Sequence, residues 1–495
     1  MDSAPKTFKL RHILPNARSF NTKDIAFNRL TTVASECLPG DLYAALITAN
    51  GDGHDEVEIA FKNGAVGILA ERLLPIQHPL VLVDDTRTAV SVINQAIHNT
   101  PSSALKTIAV TGTSGINAAS HLLCHVLTEC GMTAAQIGSD QPNCERQFTD
   151  NLTGPLNELA KSNLDVAIVQ LPANLLATRL YDHLQFDNLV ITCIETEAED
   201  FEGTPLGFEN SFQRAFERLK PEHPAVLNLA DPITRFEFLP ENRPFLSIGP
   251  NDEADIFAQH IEHGRSGQTF RVHAGEHTRE IFSPIHGHQH IYQCLQAIAI
   301  GLLQNLPFNS LCKAIESYEV APGQLERIEA GQPFDVFIDH ADTAKDLSKA
   351  IRSLRQVTEG RLIVVYGPSA TNDAASRAAM GGVAEKFADV SVITENNPEY
   401  EHPLTIAHDV LDGYSRSADA YVIPGRERAI VWALTTARIE DTVLIAGKGR
   451  NNTHLLGSES LYFDDAEIAS ICLQELANPR PKYGRDVFRI EEYRD

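Results

Sequence analysis

The sequence predicts an α/β protein built from parallel sheets, and three observations point there. Apolar, β-branched runs of strand length alternate with helical patterns almost throughout. A glycine-bearing turn links one such run to a helix. The chain has 495 residues and is 43% hydrophobic, enough for about three ordinary domains at roughly 150 residues each.

The strand runs follow in order: AVGIL (65–69), LVLVD (80–84), TIAVTG (107–112), VAIVQL (166–171), LVITCI (189–194), AVLNL (225–229), LIVVYG (362–367), VSVIT (390–394) and TVLIAG (442–447). After the third run, NAASHLLCHVLTECG has helical periodicity, and Gly131 is placed to end it as a C-cap. The turn HNTPSSALK (98–106) and the breakers Pro-Gly and Gly-Gln-Pro within 318–341 predict domains at 1–104, 105–331 and 332–495. The tail PRPKYGRDVFRIEEYRD reads as a mobile extension.

Composition excludes several classes. The net charge of −25 repels nucleic acid and anionic membranes, and 7% aromatics with a single Trp432 supply no base-stacking platform. No run of about 18 apolar residues predicts a membrane span, and the N-terminus does not read as a signal peptide. Eight scattered cysteines without a CxxC pair fit reduced thiols in a cytoplasm. His286, His288 and His290 alternate as metal ligands on one strand face would, but they read as polar loop histidines. Asp339 and His340 are neighbours on a predicted strand, so they face opposite ways and make a poor acid/base pair.

The segments PGDLYAAL (39–46), VTGTSGINAAS, NLADP (228–232), APGQLERI (321–328), IDHADTAKDL (338–347), NNPE and LIAGKGRNN (444–452) run in an order that resembles the Mur ligase family, in its MurE branch. The resemblance implies a three-domain Mur ligase architecture: an N-terminal uridine-nucleotide domain, a central P-loop-type parallel-sheet ATPase domain and a Rossmann-like C-terminal amino-acid-binding domain. It implies an ATP site at Gly112, Thr113, Ser114, Gly115, Ile116 and Asn117, with Asp339 near the ribose. It also implies an amino-acid site at Asn397, Pro398, Glu399, Gly447 and Lys448.

At these positions the family's charges are missing. Ile116 stands where the family has the phosphate-binding lysine, and Asn117 where it has the Mg²⁺-binding hydroxyl. Gln170, Pro172 and Ala173 replace a glutamate and two serines, and Glu197 and Ala198 replace an Asp-His pair. Phe216 falls at the carbamylated lysine, and Val33, Ala34 and Ser35 at an Asp-Ser-Arg uridine motif. Glu399 replaces the arginine that clasps the incoming carboxylate, Asp342 a histidine, and Arg450 and Asn451 a His-Glu pair, while Asp373 and Arg377 persist. The expectation is a MurE-like, catalytically inactive protein with no metal and no cofactor. It would work in the cytoplasm by binding a protein partner or a UDP-linked cell-wall precursor. The alternative is an active ATP- and Mg²⁺-dependent amide ligase of peptidoglycan synthesis. That alternative needs a cation near the glycine loop, and Arg377, Lys448 and Arg450 are the C-terminal candidates.

Overall fold

The structure is a computed structural model, and it describes residues 6–48, 51–98, 105–138, 152–194, 212–237, 243–264, 267–319, 323–416, 420–457 and 459–477. Contacts divide the chain into two compact units. The first holds 1–260, 270–281 and 291–318, and the second 261–269, 282–290 and 319–495. The tail after residue 477 and the acidic stretch containing Glu197 and Ala198 lie outside the described residues.

In the first unit, strands β1 (Arg18–Phe20), β2 (Arg29–Thr31), β3 (Asp41–Ala44), β4 (Gly67–Ala70) and β5 (Leu80–Leu82) form a sheet in the order β1-β5-β4-β3-β2. Helix α1 (Thr86–His98) follows, with Val90 and Ile93 packed into the core. The AVGIL and LVLVD runs become β4 and β5, and Leu42 on β3 and Ile68 and Leu69 on β4 are fully buried.

The central sheet starts with β6 (Lys106–Thr111), α2 (Ile116–Glu129), β7 (Ala134–Ile137), α3 (Thr153–Ala160), β8 (Val166–Gln170), α4 (Ala173–Ala177), β9 (Asn188–Ile191), β10 (Ala225–Asn228) and β11 (Phe245–Gly249). It adds β12 (Ile256–Gly264), β13 (Gly267–Ala274) and β14 (His277–Ser283), in the order β7-β8-β6-β9-β10-β11-β12-β13-β14. Pairings from β7 through β12 are parallel. Strand β6 has no exposed residue after Lys106, as expected for a parallel strand covered on both faces. The chain fills one side of β6 before crossing to the other, so the loop after β6 sits at a topological switch point, where open α/β sheets bind ligands. The predicted cap holds: Gly131 has φ +91° and its N–H donates to the Thr128 carbonyl. Helices α5 (His288–Leu303) and α6 (Phe308–Glu316) close this part of the chain.

In the second unit, β15 (Glu326–Arg327), β16 (Asp335–Asp339), α7 (Ala344–Arg355), β17 (Leu362–Tyr366), α8 (Ala374–Phe387), β18 (Val390–Ile393), α9 (Pro403–Leu411), β19 (Ala420–Val422), α10 (Arg426–Thr436) and β20 (Thr442–Ala446) form a six-stranded sheet, ordered β15-β16-β20-β17-β18-β19. The hairpin β21 (Thr453–Leu456) and β22 (Glu459–Tyr462) and helix α11 (Asp465–Ala477) complete it. Alternation explains the two cores. Val336, Ile338, Ile363, Val365, Val443 and Ile445 face α10 and α11, while Phe337, Leu362, Val364, Tyr366, Leu444 and Ala446 face α7, α8 and α9. Among the described residues no helix is long and apolar enough to cross a membrane, and seven cysteines form no disulfide.

Candidate functional site

The glycine loop joins β6 to α2 and is fastened to the end of β9. The Thr113 amide and hydroxyl both donate to the Cys193 carbonyl, at 2.8 and 3.2 Å. The Thr192 hydroxyl donates to the Ser114 carbonyl at 2.6 Å and to that of Thr111 at 3.2 Å. Gly112 is required here: its φ is +156°, and a Cβ would lie 2.1 Å from Thr192 Oγ1. Gly115, at φ +75°, is the N-cap of α2.

Ile116 opens that helix and is 9% exposed, so the side chain at the family's lysine position turns into the protein. Gln170 is buried at the end of β8, against Gly138, where a Cβ would meet Gln170 Oε1 at 1.9 Å. Gln296 of α5 donates to the Ile191 carbonyl at 3.1 Å. Thr111 Oγ1, Ser120 Oγ and Gln296 Oε1 are buried without a hydrogen-bond partner among the described residues. Thr111, Ser120, Gln170 and Gln296 are uncharged, while beside the loop's anchor the buried Asp231 carboxylate accepts from Ile194 N at 2.5 Å and from the Thr234 hydroxyl at 3.2 Å. Phe216 is half-buried against the hydrophobic core. Ala34 is buried at the start of a 3₁₀ turn, Ala34–Glu36, whose Ser35 and Glu36 are exposed.

The second unit gathers a polar cluster at the carboxyl ends of β16, β18 and β20. Asn397 and Glu399 adopt φ +50°, and both are tied to the β21 strand. Asn397 Oδ1 accepts from Leu455 N at 3.1 Å, and Glu399 N donates to the Leu455 carbonyl at 3.0 Å. Lys448 is 1% exposed, and Nζ donates to Asn397 Oδ1 (3.1 Å) and the Thr453 carbonyl (2.6 Å). Burial, with Arg426 nearby, lowers the Lys448 pKa to about 8. Gly447, at φ +113°, donates its N–H to the Asp339 carbonyl.

Asp339 Oδ1 and Oδ2 accept from Ala341 N (2.9 Å) and Leu325 N (2.7 Å), while burial pushes this carboxyl up to about 6. His340 Nδ1 lies 3.0 Å from the Lys448 carbonyl. Each member of the Asp339–His340 pair is thus tied to backbone. Burial likewise raises the Asp342 carboxyl.

The three candidate cations are committed inside this unit. Arg377 pairs with Glu401 (2.6 Å) and Asp409 (2.7 Å). Arg450 pairs with Glu326, and with Asp464 at 3.4 Å. Lys448 is held by the two neutral oxygens. Asp373 accepts from Ser376 N and caps α8.

The histidine triplet differs from the loop expectation. His288 and His290 lie in the first turn of α5, and His286 and His290 are buried, because the helix starts here and turns His290 toward Ser283 Oγ at 2.8 Å. Among the described residues no three His, Cys, Asp or Glu side chains group as metal ligands. Sequence reasoning missed a fully buried ion pair, Arg426–Asp465 at 2.6 Å, which also bonds the Ala446 carbonyl. Nothing local marks it: the partners are 39 residues apart.

Profiles of two domains of one family match this chain. The Mur ligase middle domain matches residues 110–301, and the Mur ligase glutamate ligase domain residues 323–449. The chain belongs to the Mur ligase family. It is 28% identical over 487 residues to the UDP-N-acetylmuramoyl-L-alanyl-D-glutamate–2,6-diaminopimelate ligase of Bacillus licheniformis, covering 95% of this chain and 100% of that one. The ligase of the same name in Fusobacterium nucleatum is 27% identical over 442 residues, covering 86% of this chain and 90% of that one. A solved structure of a ligase of that name superposes with a TM-score of 0.65 at 21% identity, over 95% of this chain and all of that one. MurF from Acinetobacter baumannii superposes with 0.60 at 19%, over 88% and 94%. The fold is thus the three-domain Mur ligase architecture, and the chain is MurE-like.

Proposed function

We propose that this MurE-like chain has lost ligase chemistry and acts by binding or regulation. The observation that carries this reading is the glycine loop. Ile116 is buried where a ligase presents a lysine to phosphate, and the loop's Thr113 amide is spent on Cys193. Phosphoryl transfer depends on charge placed around the moving phosphate and on metal ions held by hard oxygens. The neutral set Thr111, Ser120, Gln170 and Gln296 offers neither, and the Asp231 carboxylate is taken up by Ile194 N, Ile233 N and the Thr234 hydroxyl, so these described residues do not fit MgATP. The ion pairs of Arg377 and Arg450 support the same reading, because freeing either guanidinium would strand carboxylates. No cofactor is required. On this reading the chain divides near residues 104 and 331 and works in the cytoplasm. Its partner is another protein or a UDP-linked cell-wall precursor.

Similarity over 95% of the chain to enzymes named as ligases favours a second reading, an active ATP- and Mg²⁺-dependent ligase. Two measurements separate the readings. Each lost charged phosphate contact costs about 1.5–3 kcal/mol, and several such losses together move a micromolar nucleotide site to millimolar or weaker. Calorimetric titration with MgATP is expected to show no binding, and a dissociation constant below about 100 μM would overturn the proposal. ADP release in the presence of UDP-N-acetylmuramoyl-dipeptide and an amino-acid panel is expected to stay at background.

A further inference from the structure

A cavity of about 470 Å³ opens in the first unit, lined by Glu71, Asp84, Asp85, Arg87, Thr178 and Arg179 among others. Its walls come from the segment after β4, the segment joining β5 to α1, and the turn after α4. Three carboxylates face two guanidiniums, but most of these charges are spent. Glu71 Oε1 accepts from Thr86 N at 2.9 Å. Asp85 caps α1, accepting from Arg87 N at 2.9 Å and from the Thr88 hydroxyl at 2.7 Å, and it pairs with Arg179 at 3.2 Å. Arg179, held at φ +64°, also lies 3.7 Å from Asp182.

Two charges remain unused. Asp84 is exposed and makes no hydrogen bond or ion pair among the described residues. Arg87 donates from Nη2 to the Ile47 carbonyl and has no carboxylate on its guanidinium among the described residues.

One unpaired carboxylate and one guanidinium without a carboxylate partner, three residues apart at a helix start, suit a ligand that carries both signs. A polyanion such as a pyrophosphate would instead meet the carboxylates of Glu71, Asp84 and Asp85. We propose that this cavity binds a short free peptide as a zwitterion, its ammonium on Asp84 and its carboxylate on Arg87. The volume lies within the range of small-molecule sites and holds a di- or tripeptide. A peptide whose amino nitrogen is acylated, as in a nucleotide-linked precursor, loses the ammonium and with it the Asp84 contact. This inference does not rest on the loss of ligase chemistry.

The test is calorimetric titration of the full chain with L-alanyl-L-alanine, its N-acetyl derivative and UDP, each up to several millimolar. The free dipeptide is expected to bind, and acetylation to weaken it about tenfold or more, the worth of one charged hydrogen bond. Asp84→Asn should impose that same loss on the free dipeptide and leave the acetylated form unchanged. Arg87→Gln should weaken both, since both keep the carboxylate. Asp84 is exposed, so its variant folds, and a melting curve checks that. Equal affinity for the two peptides, tighter binding of UDP, an Asp84→Asn variant that binds as the parent does, or no dipeptide binding would each overturn the proposal.

Discussion

Restoring the family's lysine and hydroxyl with Ile116→Lys and Asn117→Thr tests the proposed loss of ligase chemistry. Sequence alone suggests that the scaffold tolerates a loop lysine reaching solvent. The structure corrects this, because Ile116 is the first residue of α2 and only 9% exposed. Burying an isoleucine contributes about 1.5–3 kcal/mol. A lysine stem recovers part of that while its ammonium reaches for water. Its charge at a helix N-terminus adds about 0.3–1 kcal/mol of repulsion from the dipole. The double variant should therefore lose about 2–3 kcal/mol, read as a lower urea midpoint at unchanged slope. Nucleotide affinity should rise about 10- to 100-fold, the worth of one charged phosphate contact. Ligation should still be absent, since Gln170 and Phe216 leave the metal without the family's ligands and parts of such a unit are strongly non-additive. The assay is ADP release beside the parent protein. Substrate-dependent turnover in the variant would refute the account of the missing metal ligands, and turnover in the parent would refute the proposed loss of function.

Further perturbations test other parts of the structure. His183 is buried between Ser91 Oγ (3.1 Å) and Thr153 Oγ1 (3.0 Å), and burial lowers its pKa to about 4. Below about pH 6.5 the unfolded chain takes a proton that the folded chain refuses until about pH 4, so stability falls with pH across that window, by about 2 kcal/mol at pH 5. His183→Gln should flatten that slope in urea titrations at pH 7 and pH 5. Asp465→Asn leaves Arg426 charged and buried and should cost about 3–5 kcal/mol in a urea titration, where a loss under about 1 kcal/mol would show that Arg426 finds another anion. A 2,6-diaminopimelate thermal shift should be absent in the parent, since Glu399 repels the carboxylate an arginine would clasp. A shift that is present and then vanishes in Glu399→Ala would contradict the role assigned to that residue.

The sequence by itself determined the α/β class and the core strands. A buried parallel strand is a continuous apolar run, and its signal is local. LIVVYG and TVLIAG were legible because both faces of β17 and β20 are covered by helices. The order of motifs made the family legible, and the replaced residues could be read one at a time. Tertiary structure alone decided where the replaced side chains within the described residues point and what they pair with. Nothing near Ile116 in sequence tells whether it points to solvent or inward. That is settled by α2 packing on the sheet and by Thr192 and Cys193, about 80 residues away, holding the loop. The same holds for the cations. Arg377 and Arg450 are plausible phosphate ligands in the sequence, and the structure commits them to Glu401, Asp409, Glu326 and Asp464. Arg426 and Asp465 could not be paired in advance, because an ion pair is fixed by the distance between side chains, and the fold sets that distance.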